Sequence, residues 1–103
     1  MAGVAGVALL LMISAMIYSA ESSVDHGKEV YAAQKCSMCH SVAGAGNKAH
    51  PLDGIGSKMN ADELKKFITN PKETKPNISM RAYSNLPGKD LDDLVAYLES
   101  LKN

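Results

Sequence analysis

Aromatic residues and cysteines are scarce in this chain. Its 103 residues include no Trp, one Phe, four Tyr and only two Cys. So few large side chains make a thin hydrophobic core, and domains of this size often need a disulfide, a metal or another internal staple. Two cysteines cannot build a framework of several disulfides. The length allows one domain at most and excludes a large multidomain enzyme.

The chain also lacks an excess of charge of either sign. Eleven Lys and Arg side chains balance eleven Asp and Glu side chains. Proteins that bind nucleic acid through charge usually carry a strongly basic balance, so the sequence argues against that class. The charges are unevenly distributed, however. Residues 48–81 carry seven basic and four acidic groups, whereas residues 82–103 carry two basic and four acidic groups.

The N-terminal segment, residues 2–20, is apolar and contains no charged side chain. A membrane-spanning helix needs about 20 apolar residues, whereas the apolar part of a secretory signal has about 7–15 and follows a basic stretch. No Lys or Arg precedes this segment, but Ala20 and Ser22 suit a cleavage site before Ser23. Residues 1–22 are therefore predicted to be a signal peptide or a membrane anchor, and both place residues 23–103 on the extracytoplasmic side.

Three stretches of the remaining chain have helical periodicity, and none resembles a strand. The predicted helices span residues 24–36, 61–69 and 90–101. Asn60 and Glu63 have the spacing of a capping box at the start of the second helix. The long connections, residues 41–57 and 71–88, contain most of the Gly and Pro residues. Long loops are uncommon in compact domains unless they have a function, so we expect them to wrap around a bound group.

The motif that carries chemistry is Cys-Ser-Met-Cys-His at residues 36–40. This is the C-x-x-C-H pattern of c-type haem attachment. Two thiols three residues apart can each add to one vinyl group of a haem, and the adjacent His can then reach the iron from the same side. Cys36 and Cys39 are therefore predicted to attach one haem c covalently, and His40 to be an axial ligand of its iron.

Three other interpretations of this motif are weaker. A redox dithiol normally follows a strand of a βαβ unit, and no such strand is visible. Zinc motifs usually present two well-separated ligand pairs, and only one pair is here. A disulfide between Cys36 and Cys39 would close so short a loop that it would stabilise very little.

The order of the motifs between residues 27 and 101 resembles the class I monohaem cytochromes c of the small bacterial type. The resemblance lies in residues 27–31 before the haem motif, in His-Pro-Leu-Asp-Gly-Ile-Gly at 50–56, in Ile-Ser-Met-Arg-Ala-Tyr at 78–83 and in the last helix around 94–98. It implies an all-α cytochrome c fold for residues 23–103, with three main helices and loops wrapped round one covalently bound haem.

The second axial ligand has several candidates, namely Met80, Met59, Met38, His50 and His26. Met38 lies inside the attachment loop and cannot cross to the opposite face of the haem, and Met59 is more typical of a core position. Met80 lies in a Pro-bounded loop, and the resemblance also implies it as the ligand. His50, where the family usually has Gly, is the alternative ligand, although a surface position is favoured for His50 and His26.

The resemblance implies roles for several further residues. The carbonyl of Pro51 is expected to accept a hydrogen bond from His40, and Gly27 and Tyr31 are expected to cross Leu94 and Tyr97 where the first and last helices pack. Tyr83 is expected either to reach a haem propionate or to belong to the core.

A haem whose two axial positions are filled by the protein has no easy site for a substrate, so its useful chemistry is one-electron transfer. The sequence therefore predicts a non-enzymatic electron carrier between membrane or periplasmic redox proteins. The basic surplus in residues 48–81 predicts a docking face for an acidic redox partner. Two alternatives stay open. One is a haem subunit fixed in a larger respiratory or photosynthetic complex, and the other is a gas-binding or peroxidase-like protein with a labile distal ligand.

Overall fold

The computed structural model describes residues 21–103, which form five helices and one small hairpin. The helices are α1 (Ser23–Ala33), α2 (Ile55–Lys58), α3 (Ala61–Thr69), α4 (Pro71–Thr74) and α5 (Gly88–Ser100). The two-residue strands β1 (Ser41–Val42) and β2 (Ala45–Gly46) pair in antiparallel register, and a 3-10 turn spans Cys36–Met38. The predicted signal or anchor in residues 2–20 lies outside the described residues. Within residues 21–103, no helix is long and apolar enough to cross a membrane.

The second predicted helix is confirmed as α3, with the predicted bounds. The Asn60 side chain accepts a hydrogen bond from the N–H of Glu63 at 2.9 Å, and the Glu63 carboxylate accepts one from the N–H of Asn60 at 3.1 Å. This reciprocal pair is the predicted capping box. The third predicted helix is confirmed as α5, which begins two residues earlier than predicted and ends at Ser100.

Three details of the predicted secondary structure are wrong. The long connections are not free of helix, because they contain most of α2 and all of α4, whose four residues each are too few to show helical periodicity. The first helix does not reach Cys36, because α1 ends at Ala33 and Lys35 adopts a left-handed conformation with φ of 58°. A left-handed residue cannot continue a right-handed helix, so Cys36 begins a separate turn. The hairpin formed by β1 and β2 was also not expected, since strands of two residues leave no alternating pattern to detect.

The core lies where α1 crosses α5, with α3 packed on α5. Its buried apolar members are Val30, Tyr31, Leu64, Ile68, Leu91, Leu94, Val95, Tyr97 and Leu98. Gly27 lies at the crossing, and a Cβ there would overlap the carbonyl oxygen of Asp93 and stand 2.8 Å from the Cβ of Tyr97. The rings of Tyr31 and Tyr97 meet edge to face with centroids 5.5 Å apart. The predicted crossing of the first and last helices is thereby confirmed.

A polar contact joins the same two helices at the edge of the crossing. Asp93 of α5 is buried, and its Oδ2 atom lies 2.7 Å from Nδ1 of His26 on α1 and 2.5 Å from Nζ of Lys89. These contacts hold the pKa of the Asp93 carboxyl below its usual range, the Lys89 contact most strongly. The buried carboxylate is therefore stabilised by two neighbouring side chains.

Candidate haem site

The turn from Cys36 to His40 brings the three predicted attachment and ligand residues together. The N–H groups of Cys39 and His40 both donate to the carbonyl of Cys36, at 3.1 and 2.9 Å. Both cysteines are free thiols; Cys36 is half-buried and Cys39 is exposed. Burial raises the pKa of the Cys36 thiol. One turn of chain thus presents two thiols and an imidazole within five residues, which is the donor set that haem attachment requires.

The His40 ring is held by the main chain of the loop that follows. Its Nδ1 atom lies 3.0 Å from the carbonyl oxygen of His50. When Nδ1 donates to a carbonyl, the proton is fixed on that nitrogen and the lone pair of Nε2 is free to bind a metal. Hydrogen bonding of this kind also makes the imidazole a more basic ligand.

The prediction that the Pro51 carbonyl is the acceptor is wrong by one residue. Ser41 forms a parallel bridge with Pro51, in which the N–H of Leu52 donates to the carbonyl of Ser41 at 2.8 Å. On the other side of Pro51, the carbonyl of His50 faces the N–H of Ser41 at 3.4 Å. In such a ladder only alternate residues of each strand turn their hydrogen-bonding groups toward the partner. His50 therefore presents its oxygen to the segment that carries His40, and Pro51 does not.

Asn47, which belongs to no motif of the sequence, holds the attachment turn in place. Its N–H lies 3.0 Å from the carbonyl oxygens of both Ser37 and His40, and its side-chain nitrogen donates to the carbonyl of Met38 at 3.1 Å. The preceding Gly46 has φ of 109°, and a Cβ there would overlap the His40 carbonyl oxygen. A Gly-Asn pair signals a turn, but the signal is local and does not reveal which earlier segment the turn contacts.

Met80 lies in the irregular segment between α4 and α5 and is half-buried. It lines a cavity of about 310 Å³ together with Pro71 and Arg81. The N–H of Tyr83 donates to the carbonyl of Ile68 at 2.9 Å, which attaches the segment to the end of α3. The Met80 sulfur is thus carried by a short segment that is fixed shortly after it.

Tyr83 packs against the core and is half-buried, as one of its two expected roles requires. The Arg81 guanidinium lies over its ring, 4.7 Å from the centroid. A second cavity of about 230 Å³ is lined by Tyr83, Arg81 and Gln34, the residue that caps α1. The segment that follows Met80 therefore borders the end of α1, two residues before Cys36. Contact of Tyr83 with a propionate stays a prediction.

The other candidate axial ligands occupy varied positions. Met38 is 69% exposed on the attachment turn, and Met59 packs against the core as expected. The surface position favoured for His26 is wrong, because its half-buried ring contacts the buried Asp93 at the helix crossing. His50 is exposed, and its ring meets that of His40 edge to face with centroids 6.2 Å apart. The structure therefore gives His50 a main-chain role beside His40, which agrees with the surface position favoured for its side chain.

The residues around the turn fit a haem. Partly buried apolar side chains pack against the core, and they are Cys36, Val42, Leu52, Ile55, Met59, Tyr83, Leu86 and Leu101. A flat apolar group bonded at Cys36 would meet apolar surface there, because Cys36 itself packs against the core. The Tyr31 hydroxyl is buried without a hydrogen-bond partner, which also suits a site that receives a further group. In the described part of the chain, no three His, Cys, Asp or Glu side chains are arranged to hold a metal ion, as a zinc site would require.

The basic surplus of residues 48–81 is partly neutralised on the surface. Lys65 lies 3.3 Å from Asp92, and Lys66 lies 3.2 Å from Glu73. Exposed pairs of this kind contribute little to stability. Only the pair with Asp92 reduces the basic surplus, because Glu73 is already counted within residues 48–81. An acidic partner is therefore still a prediction, and it now depends less on Lys65.

Comparison with known proteins adds independent information. The model of the cytochrome c family, described as "Cytochrome c", matches residues 24–102. A protein named cytochrome c oxidase subunit 2, from Alkalihalophilus pseudofirmus, is 31% identical over 91 residues, which cover 80% of this chain and 27% of that protein. A cytochrome c from Tetrahymena pyriformis is 30% identical over 101 residues, which cover 79% of this chain and 91% of that protein. The chain thus spans about a quarter of the oxidase subunit and most of the second relative.

A solved structure has a similar fold. The crystal structure of SoxXA from P. pantotrophus superimposes with a TM-score of 0.69, at 22% sequence identity. The match covers 82% of this chain and 85% of that one. At this level of identity, the similarity concerns the course of the backbone.

Proposed function

Because the chain belongs to the cytochrome c family, we propose that it carries single electrons on one haem c attached through Cys36 and Cys39. Its mostly helical structure and small size are those of a class I c-type cytochrome, so the predicted fold class is confirmed. Family membership makes it a c-type haem protein of electron transport. The number of haems, the attachment residues and the ligands are the specific part of the proposal.

The observation that carries the proposal is the geometry of residues 36–40. The two thiols are free. Asn47 donates hydrogen bonds to three carbonyl groups of the turn. The His50 carbonyl lies against Nδ1 of His40, which would leave Nε2 free to bind the iron of a haem. A turn of this kind supports attachment at two thiols and ligation by the adjacent imidazole.

We propose Met80 as the second axial ligand. The half-buried side chain, the adjoining cavity and the attachment of the segment at Tyr83 support this choice. The bound haem supplies reversible one-electron chemistry at iron. The residues of the chain attach it, hold the imidazole in one orientation and cover part of its surface with apolar side chains. A thioether ligand and an apolar surrounding both raise the reduction potential. With both axial positions filled, the iron would have no open site for a substrate, so we propose electron transfer and no catalytic role.

A second candidate function is that of a haem domain fixed in a larger complex. The similarity to a protein named cytochrome c oxidase subunit 2 favours it, since that name describes part of an oxidase. We propose redox proteins as donor and acceptor in either case.

We further propose an extracytoplasmic location, because covalent attachment to C-x-x-C-H thiols takes place there in bacteria. Residues 1–22 would be the signal peptide or the membrane anchor. Extraction of the full chain from membranes, followed by sizing, distinguishes a free carrier from a fixed subunit.

Covalent attachment is tested on protein produced together with c-type haem attachment machinery. We expect haem to stay on the chain after denaturation, and we expect a double variant, Cys36→Ala with Cys39→Ala, to lose it. Met38→Ala is the matched control, because Met38 lies in the same turn but is exposed and bonds nothing through its side chain. Haem that dissociates from the unchanged chain on denaturation, or a folded and colourless unchanged chain, contradicts the proposal.

A further inference from the structure

The hydroxyl of Tyr31 is buried and has no hydrogen-bond partner. The residue is 8% exposed, and among residues 21–103 this oxygen is the one buried side-chain nitrogen or oxygen left unpaired. Roughly 90% or more of buried polar groups in folded proteins have a partner, because an unpaired group loses its hydration without compensation. The unpaired hydroxyl of Tyr31 therefore suggests that a hydrogen-bond acceptor from a bound group occupies this position in the loaded protein.

The Tyr31 side chain cannot avoid this cost by turning toward water. Its ring meets the Tyr97 ring edge to face at 5.5 Å, in the crossing that Gly27 closes. Burial raises the pKa of Tyr31 to about 12, so the hydroxyl stays protonated and remains a donor at neutral pH. The hydroxyl is thus a fixed donor without an acceptor.

The neighbourhood of this hydroxyl includes the attachment site. Cys36 follows Tyr31 by five residues and packs against the core cluster to which Tyr31 belongs. The donor therefore belongs to the same core against which the half-buried thiol that is proposed to bond the haem packs.

We propose that Tyr31 is a positioning residue for the haem, and that its hydroxyl donates a hydrogen bond to an acceptor that arrives with the haem at the Cys36 end of the site. The inference rests on the proposed attachment at Cys36. The acceptor is either the thioether sulfur of Cys36 or a water held beside it, since both accept hydrogen bonds. A donor at this place withdraws electron density from the haem edge and favours the reduced iron, which is one of the means by which a protein sets a haem potential.

The test compares Tyr31→Phe with Tyr97→Phe in haem-loaded protein. Each change removes one hydroxyl from the same ring pair, and only that of Tyr31 is buried and unpaired. For Tyr31→Phe we expect a midpoint potential shifted to lower values, an unfolding equilibrium constant raised about fivefold by the loss of one hydrogen bond, and loss of a slowly exchanging hydroxyl proton from the NMR spectrum. For Tyr97→Phe we expect an unchanged potential.

A different result is expected if the Tyr31 hydroxyl has no acceptor in the haem-loaded protein. If the hydroxyl stays unpaired in the haem-loaded protein, Tyr31→Phe leaves the potential unchanged and leaves the unfolding constant unchanged or lowers it, because an unsatisfied group has been removed. That outcome overturns the inference. Adding Cys36→Ala tests the place of the acceptor: the effect of Tyr31→Phe on the potential disappears if the acceptor is the Cys36 sulfur or a water held by it, and an effect that persists contradicts an acceptor at Cys36. Failure of the proposed function is recognised separately, because the unchanged chain then carries no covalent haem.

Discussion

The Nδ1 atom of His40 lies 3.0 Å from the main-chain carbonyl oxygen of His50. The orientation of the proposed proximal ligand therefore depends on the backbone of residue 50 and not on its side chain. The His50 ring is exposed beside His40. Because the acceptor is a main-chain carbonyl, His can stand at this position, where the family usually has Gly, and still accept the hydrogen bond from His40.

His50→Gly is expected to leave the haem spectrum and the midpoint potential nearly unchanged, because the carbonyl acceptor is retained. His40→Ala, made in parallel, is expected to lose the low-spin spectrum, since no other imidazole replaces the ligand. Absorption spectra and potentiometric titration of both variants check this. If His50→Gly loses the low-spin spectrum and His40→Ala keeps it, the ring of His50 ligates the iron.

Met80→Ala is expected to lower the midpoint potential and to open the iron to carbon monoxide, because the thioether ligand is removed. Met59→Ala is the matched control. It removes a half-buried Met that packs against the core, so we expect a loss of stability of roughly 1–2 kcal/mol, below the 2–5 kcal/mol typical of fully buried sites, with no carbon monoxide binding. Carbon monoxide titration and denaturant unfolding separate the two effects. An unchanged potential in Met80→Ala refutes the ligand assignment.

Gly27→Ala is expected to destabilise the fold by at least about 1–3 kcal/mol, the usual cost of overpacking. The added methyl group overlaps the Asp93 carbonyl, which is backbone and cannot move without separating α1 from α5. Gly88→Ala is the control, because a Cβ at Gly88 meets no atom within 4 Å. Denaturant unfolding of the haem-loaded proteins measures both. Equal stabilities for the two variants contradict the close approach of the helices.

Asp93→Asn tests the polar contact at the helix crossing through its pH dependence. The Lys89 contact, and next the His26 contact, lower the pKa of Asp93 in the folded chain. A carboxyl with a lowered folded-state pKa contributes stability above its unfolded-state pKa and loses it as the pH falls through the folded-state value. We therefore expect Asp93→Asn to be less stable than the unchanged chain at neutral pH, and the difference to vanish in acid.

Asp92→Asn is the matched control for this comparison, because Asp92 is exposed and pairs with Lys65 across the surface. We expect only a small change in the free energy of unfolding, because exposed pairs contribute little to stability. Urea unfolding across the acid range gives both profiles. A stability difference for Asp93→Asn that stays constant from neutral to acid pH shows that ionisation of this carboxyl does not stabilise the crossing.

Local sequence signals predicted a large part of the structure. The capping residues Asn60 and Glu63 predicted the start of α3, since this signal acts within a few residues. The five residues of the haem motif are likewise contiguous. Such features depend on neighbours along the chain, so a single sequence is sufficient to detect them.

The missed features depend on backbone conformation or on distant contacts. Left-handed helix ends are signalled by Gly or Asn, and Lys35 gives no such signal. The contact of Asn47 with the haem motif joins segments separated by a loop, and the choice of the His50 carbonyl over that of Pro51 depends on the register of a bridge. Residue types in a sequence do not specify the direction in which a carbonyl points.

The most direct test of His40 and Met80 ligation is the absorption spectrum of the haem-loaded protein, oxidised and reduced, with and without carbon monoxide. The proposed function predicts a low-spin c-type spectrum, a sulfur-to-iron charge-transfer band in the ferric state and no change on adding carbon monoxide. A high-spin spectrum, or one that changes with carbon monoxide, would contradict stable ligation by Met80 and support a gas-binding or peroxidase-like protein instead.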